Sequence, residues 1–167
     1  MKILVLCDIH DHIEKLEKVI DGVSGKVEAV ICCGDYCAPF SAGLLSILNL
    51  PTYACLGNND EDQIGLLKKG GPTFSWTNLS QELGEIELDK RKIAFCHYPK
   101  LADLLAKSGE YDAVFYGHTH VTNSETIGKT LLLKPGSVCG IIGGKTAVAS
   151  YSIYDSERNR AEIINIY

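Results

Sequence analysis

The chain has 167 residues, of which 46% are hydrophobic and 22% charged, and its formal net charge is -5 at pH 7. This length is typical of one domain with a substantial core, so we expect residues 1–167 to form a single domain, and the composition excludes disordered and fibrous proteins. The negative charge argues against a large nucleic-acid-binding surface, although bound metal cations would still attract a phosphate group locally.

Compartment and redox state can be inferred from the apolar segments and the cysteines. No apolar stretch is long enough to span a bilayer, and the N-terminus lacks the pattern of a signal peptide, so we expect a cytoplasmic protein with no membrane partner. The seven cysteines lie mostly in apolar segments and show no paired zinc-finger spacing. This usage favours free, buried thiols in a reducing compartment.

The first part of the chain predicts alternating buried strands and helices, which is typical of a parallel α/β sheet. The predicted strands are 2–7, 27–33 and 52–56, and the predicted helices are 11–22 and 39–49. Asp11 is predicted to cap the first helix, with His12 as a solvent-facing neighbour of the cleft.

The remainder predicts a more strand-rich region that supplies a second sheet. An edge strand at 73–76 precedes a hairpin of 85–88 and 91–96, because Asp89-Lys90 lies between two apolar segments. A helix at 99–107 and a strand at 111–116 follow, and further strands are predicted at 121–127, 129–134, 146–154 and 160–166. Asn123 and Ser124 could touch the substrate, but we expect them to form a turn. We expect 140–144 to be a hairpin tip rather than a phosphate-binding loop.

Seven polar side chains follow the ends of the predicted strands: Asp8, His10, Asp35, Asn58, His97, His118 and His120. Taken singly, Asp8, Asp35 or Asn58 could be an ordinary helix cap or turn residue. As a set, carboxylate, imidazole and amide donors suit a divalent transition metal rather than calcium. Seven donors are more than one tetrahedral ion can bind. We therefore expect two ions that share Asp35, each held by one of its oxygens.

The order of these motifs resembles that of the calcineurin-like metallophosphoesterases, especially their small single-domain prokaryotic phosphodiesterase branch. The matching blocks are Asp8-Ile9-His10, Gly34-Asp35, Gly57-Asn58-Asn59-Asp60, His97 and Gly117-His118-Thr119-His120. The resemblance implies a four-layer α/β/β/α sandwich of two mixed sheets flanked by helices. It also implies a metal-dependent phosphodiesterase whose nucleophile is a hydroxide bridging two metal ions.

When the family's ligand set is transferred residue by residue, the resemblance assigns Asp8, His10, Asp35 and His120 to one ion. It assigns Asp35, Asn58, His97 and His118 to the other ion. We expect the ions to be manganese, with nickel, iron, cobalt or zinc as alternatives.

The resemblance also predicts a catalytic group made of Asn58, Asn59 and Asp60. Asn58 would touch the phosphate, and Asp60 would orient neighbouring groups. Asn59 stands where phosphomonoesterases of the superfamily carry a histidine, and an amide cannot protonate a leaving group. The substrate is therefore expected to be a small phosphodiester. Tyr98-Pro99 also departs from the family pattern and would narrow this edge of the site.

Two other functions are compatible with the same motifs. The retromer subunit that resembles this family is a protein-binding scaffold with altered metal-binding positions, and an exposed patch of Leu101, Leu104 and Leu105 would favour that role here. A nuclease is the other alternative, but the net charge argues against long nucleic acid as the substrate. The sequence leaves the oligomeric state open, with a homo-oligomer among the alternatives.

Overall fold

Two large β-sheets with helices on their outer faces make up the computed structural model, which describes residues 1–77 and 82–167. The α-helices of this part of the chain are α1 (Ile13–Val23), α2 (Pro39–Leu45), α3 (Gln63–Gly70) and α4 (Pro99–Ser108). The strands are β1 (Lys2–Leu6), β2 (Ala29–Cys33), β3 (Thr52–Cys55), β4 (Phe74–Trp76), β5 (Leu83–Leu88), β6 (Arg91–Cys96), β7 (Ala113–Phe115), β8 (Thr122–Ile127), β9 (Thr130–Pro135), β10 (Ile141–Ile142), β11 (Lys145–Thr146), β12 (Ala149–Asp155) and β13 (Arg160–Ile166). Within these ranges, no helix is both long and apolar enough to cross a membrane.

The first sheet has the strand order β13-β12-β1-β2-β3-β4. Strands β1 to β3 pair in parallel, as the unbroken apolar segments predicted, and β4 adds a further parallel pair. β12 and β13 add antiparallel pairs on the other side of β1. The expectation that the strand-rich remainder supplies the second sheet is therefore wrong for β4, β12 and β13, which extend the first sheet. β4 lies at the sheet edge, which confirms the expected edge strand.

The second sheet has the order β5-β6-β7-β9-β8 and is also mixed. The predicted hairpin is present as the antiparallel pair β5–β6, and β7 pairs in parallel with both β6 and β9. β10 and β11 form a separate two-stranded hairpin at the predicted tip.

Alternation of side chains along the strands produces the layers. Ile3 and Val5 on β1 belong to a buried cluster that includes Phe95 of the second sheet, so this core lies between the two sheets. Leu4 and Leu6 point the other way, into a cluster with helices α1 to α3, and α4 covers the outer face of the second sheet. Burial of each such side chain contributes about 1.5–3 kcal/mol relative to exposure. The result is the expected α/β/β/α sandwich.

Three local expectations are wrong. Helix α1 begins at Ile13 without a side-chain cap, and Asp11 instead accepts hydrogen bonds from Ala38 N and Ser41 Oγ at the start of α2. The helix from Pro39 ends at Leu45 and continues as one 3-10 turn, which stops at Asn49 in a left-handed conformation. Asn123 and Ser124 do not form a turn, because they pair with β9 within β8.

Candidate metal centre

All seven predicted metal ligands converge at one end of the sandwich, where strands of both sheets finish. Asp8, Asp35 and Asn58 follow β1, β2 and β3, whereas His97 follows β6 and the two remaining histidines follow β7. Carboxyl ends of neighbouring parallel strands meet at the same sheet edge, which explains why residues so distant in sequence come together.

The first group of donors surrounds two imidazole nitrogens. His10 Nε2 lies 3.2 Å from His120 Nε2 and 3.4 Å from Asp35 Oδ2. His120 Nε2 lies 3.4 Å from Asp8 Oδ1, which belongs to a carboxylate with no exposed surface. Asp8, His10 and Asp35, of which the two carboxylates are buried and His10 is partly exposed, have ligand atoms close enough to hold one ion.

The second group is built around Asn58. Its Oδ1 lies 2.9 Å from His118 Nδ1 and 3.1 Å from His97 Nε2, and the two histidine nitrogens are 3.2 Å apart. Asp35 Oδ2 lies 3.5 Å from His97 Nε2. Four donors thus face a common point beside the first group.

Asp35 connects the two groups through a single oxygen. Its Oδ2 faces both His10 and His97, whereas Oδ1 accepts a 2.9 Å hydrogen bond from the backbone N–H of Asn59. This geometry differs from the expectation that each carboxylate oxygen would serve one ion.

The protonation pattern of the histidines fits cations at both points. His97 Nδ1 lies 2.8 Å from the carbonyl oxygen of Cys33 and must carry the proton, so Nε2 presents a lone pair to Asn58 Oδ1. His120 Nδ1 likewise contacts the carbonyl oxygen of Ile141, so its Nε2 is the nitrogen that faces Asp8. Acceptors this close repel one another unless a cation lies between them, so the residues fit divalent metal ions.

The electrostatics of the first group favour positive charge. Hydrogen bonding to Asp8 and Cys139 raises the pKa of His120 to about 10, despite the opposing effect of burial. Surroundings that bind a proton this tightly also favour a metal cation in its place.

Backbone conformation at the centre is unusual. Five of the seven predicted ligands are non-glycine residues with positive φ: Asp8 (53°), His10 (45°), Asp35 (58°), His118 (74°) and His120 (60°). Such conformations cost free energy and concentrate at functional sites, where the surrounding structure enforces them. Here backbone hydrogen bonds from Ile9 N and His10 N to the Asp35 carbonyl oxygen hold the loops together.

The three predicted catalytic residues lie at this centre with different surroundings. Asn58 and Asn59 are exposed, whereas Asp60 is 3% exposed. The Asp60 carboxylate accepts hydrogen bonds from the backbone N–H groups of Asp35 (2.9 Å), Gly57 (2.7 Å) and Cys37 (2.9 Å). Asp60 therefore fixes the loops that carry the ligands.

Two cysteines beside the metal ligands were missed by the sequence reasoning, which assigned all the cysteines to the core. Cys139 Sγ lies 3.5 Å from His120 Nδ1, and Cys37 Sγ lies 3.4 Å from His10 Nδ1. Ligand atoms of His10, His120 and Cys139 are also close enough together to hold an ion. Burial acts to raise the pKa of Cys139, but hydrogen bonds to His120 and Ser137 lower it overall, which favours the thiolate.

Tyr98 forms an aromatic wall beside the second group. Its ring meets the rings of His97 and His118 edge-on, each at a centroid separation of 5.2 Å. Tyr98 therefore borders the second group of candidate ligands on this side of the site.

Comparison with known proteins identifies relatives along almost the whole chain. Residues 1–159 match the family model of the calcineurin-like phosphoesterase superfamily domain. A phosphodiesterase from Methanocaldococcus jannaschii is 33% identical over 161 residues, which cover 95% of each chain.

Solved structures show the same relationship at the level of the fold. The structure of an archaeal phosphodiesterase superposes with a TM-score of 0.88 at 30% identity, covering 99% of this chain and 100% of that one. Vps29 from Chaetomium thermophilum has a TM-score of 0.69 at 15% identity, covering 99% of this chain and 92% of its own, and this match shows the fold alone.

Proposed function

Because the chain belongs to the calcineurin-like phosphoesterase superfamily and is a metal-dependent phosphoesterase, we propose that it hydrolyses small phosphodiesters with two divalent ions. The observation that carries this proposal is the position of Asp35 Oδ2, which lies 3.4 Å from His10 Nε2 and 3.5 Å from His97 Nε2. One carboxylate oxygen that faces two groups of acceptors is placed to be a shared ligand of two ions. We assign residues 1–167 to one such domain.

The seven ligands divide as the resemblance implies. Asp8, His10, Asp35 and His120 would hold one ion, and Asp35, Asn58, His97 and His118 the other. When bound, such a pair supplies Lewis acidity and a bridging hydroxide for in-line attack on phosphorus. We propose manganese, with nickel, iron, cobalt or zinc as alternatives that the same donor types accept.

We assign Asn58 to binding the substrate and Asp60 to orienting the metal ligands, and neither to making or breaking bonds. Asn58 is exposed, and we assign its amide nitrogen to a phosphate oxygen of the substrate. Asp60 positions the ligand loops through its three backbone hydrogen bonds. The proposed attack by hydroxide needs no serine or cysteine nucleophile.

Asn59 supports a diester rather than a monoester as the substrate. Its side-chain amide donates to Asp35 Oδ2 at 2.8 Å, so it is engaged with the metal ligand and has no acidic proton to give a leaving group. Without an acid at this position, the reaction favours esters whose leaving groups depart as anions.

The test compares hydrolysis of bis(p-nitrophenyl) phosphate with that of p-nitrophenyl phosphate. Chelator-treated protein would receive Mn, Ni, Co, Zn or Mg one at a time, with Asp35→Ala as the inactive control. We expect metal-dependent cleavage of the diester, weak cleavage of the monoester and loss of both in the variant. Absence of turnover with every metal, in protein that binds two ions, would contradict the proposal.

The alternative of a protein-binding scaffold gains no support from the leucines on α4. Leu104 is exposed, but Leu101 and Leu105 pack against the core of the second sheet, so the three do not form an exposed patch. The net charge of -5 continues to disfavour long nucleic acid as the substrate.

A further inference from the structure

A pocket of about 320 Å³ opens beside the metal centre, and His120 forms part of its wall. Its lining also includes Val121, Ile142, Val148, Ser150 and Asn165. This volume is within the range of small-molecule sites.

The apolar side chains of this pocket are unusually exposed. Val148 is 60% exposed, Val121 47% and Ile142 39%. They come from three separate segments: the loop after His120, the β10–β11 hairpin and the residue before β12. Scattered exposed apolar residues are ordinary, but several that line one concave surface indicate a binding site.

The pocket is continuous with the metal centre through one side chain. His120 directs Nε2 at Asp8 and His10, and its Nδ1 contacts the carbonyl oxygen of Ile141, next to Ile142. The pocket therefore lies directly beside the proposed position of the phosphate.

Backbone hydrogen bonds fix the shape of the pocket. Ala147 N donates to the Gly140 carbonyl oxygen at 2.8 Å, which closes the hairpin that carries Ile142. Ser150 Oγ donates to the Pro135 carbonyl oxygen at 2.7 Å, so this hydroxyl is already engaged inside the protein. A pocket whose walls are held in place before binding takes up a ligand with little ordering cost.

Charge also restricts the ligand. None of the described residues that line the pocket is Lys, Arg, Asp or Glu. A nucleic-acid strand would need cations for its flanking phosphates, and this wall offers none beyond His120.

We propose that this pocket binds the uncharged, apolar ester group of a small phosphodiester, with an aromatic ring as the best fit. This inference rests on the proposed function, since it places the phosphate at the metal centre. It makes Val148 and Ile142 specificity-determining residues.

The test measures binding without turnover, by calorimetry on manganese-loaded protein. The probes are diphenylphosphinate and dimethylphosphinate, which resemble a diester anion but have P–C bonds that cannot be hydrolysed. We expect the diphenyl compound to bind about tenfold more tightly, because one ring is buried in the pocket. Val148→Ser and, separately, Ile142→Ser should each reduce this preference to about threefold.

Ile47→Ser is the matched control, since Ile47 is 68% exposed on the 3-10 turn after α2 and should leave the preference unchanged. Equal affinities for the two probes in the natural protein, or an unchanged preference in both pocket variants, would overturn the proposal. Because this assay needs no hydrolysis, an inactive protein that still prefers the diphenyl probe would contradict the enzymatic proposal and leave the pocket supported.

Discussion

The side-chain amide of Asn59 donates a 2.8 Å hydrogen bond to Asp35 Oδ2, the oxygen that also faces His10 and His97. The backbone N–H of Asn59 donates to the other oxygen, Oδ1, at 2.9 Å. One residue thus fixes both oxygens of the shared carboxylate. Partners of this kind orient a ligand and commonly change metal affinity by about 10–100-fold when removed.

Asn59→Ala should therefore weaken manganese binding by about tenfold, at the lower end of that range, because the backbone hydrogen bond remains. Calorimetric titration of the metal-free protein measures this directly. Asn123→Ala is the control, since Asn123 makes a similar 2.8 Å amide–carboxylate bond to Glu125 on β8. Equal manganese affinities of Asn59→Ala and the natural protein would show that the amide does not position Asp35.

Asp60→Asn should destabilise the protein by about 2 kcal/mol, because an amide cannot accept three backbone hydrogen bonds with only one oxygen. Burial, the largest effect on this group, raises the pKa of Asp60, so loss of the charge recovers part of the cost. Urea unfolding of the metal-free protein gives the free energy of unfolding.

Asp62→Asn serves as the control for Asp60→Asn. Asp62 caps α3 by accepting from Gly65 N, and asparagine caps a helix as well as aspartate does. A loss of stability that is the same in both variants would refute the special role of Asp60.

Gly57→Ala should abolish high-affinity metal binding through steric displacement. A Cβ atom at this position would lie 2.1 Å from Asp35 Oδ1, well inside contact distance. Gly43→Ala on α2 is the control, since its nearest neighbour would be 3.8 Å away and alanine favours a helix. Metal titration of both variants checks the prediction, and full metal binding by Gly57→Ala would contradict it.

Cys139→Ser should shift the metal preference away from thiophilic ions. The sulfur lies with His10 and His120 in one potential ligand group, and thiolates prefer zinc to manganese. We expect zinc affinity to fall about tenfold with little change for manganese. Cys37→Ser is the comparison, because Cys37 contacts His10 but is not part of this ligand group. A zinc-to-manganese ratio that changes equally in both variants would exclude a specific effect of Cys139.

The architecture and the convergence of the seven candidate ligands could be predicted from the sequence because both follow from local patterns. The apolar segment at 2–7 ends in Asp8, and each later strand of the site ends in a similar polar residue. In a parallel sheet, that position is enough to predict that such residues meet. Leu4 faces the helices and Val5 faces the other sheet, because successive side chains of a strand point to opposite faces.

Other features depend on tertiary geometry that the sequence pattern does not encode. Asp11 was predicted to cap α1, but its carboxylate accepts hydrogen bonds from Ala38 N and Ser41 Oγ at the start of α2, which only the folded loops bring near. Cys139 resembles the other buried cysteines in sequence, and its contact with His120 arises from the return of the 136–140 loop to the end of β1. The orientation of the Asp35 carboxylate, whose Oδ2 accepts a hydrogen bond from the Asn59 amide, likewise depends on contacts between separate loops.

The central claim is that two ions share Asp35, and electron paramagnetic resonance of the manganese-loaded protein tests it most directly. We expect two manganese ions per chain with an exchange-coupled spectrum, because Asp35 Oδ2 faces both groups of candidate ligands and would join the two ions of the proposed site. Asp35→Ala should remove the coupling and lower the occupancy. One ion per chain, or two ions with uncoupled spectra in the natural protein, would contradict the account.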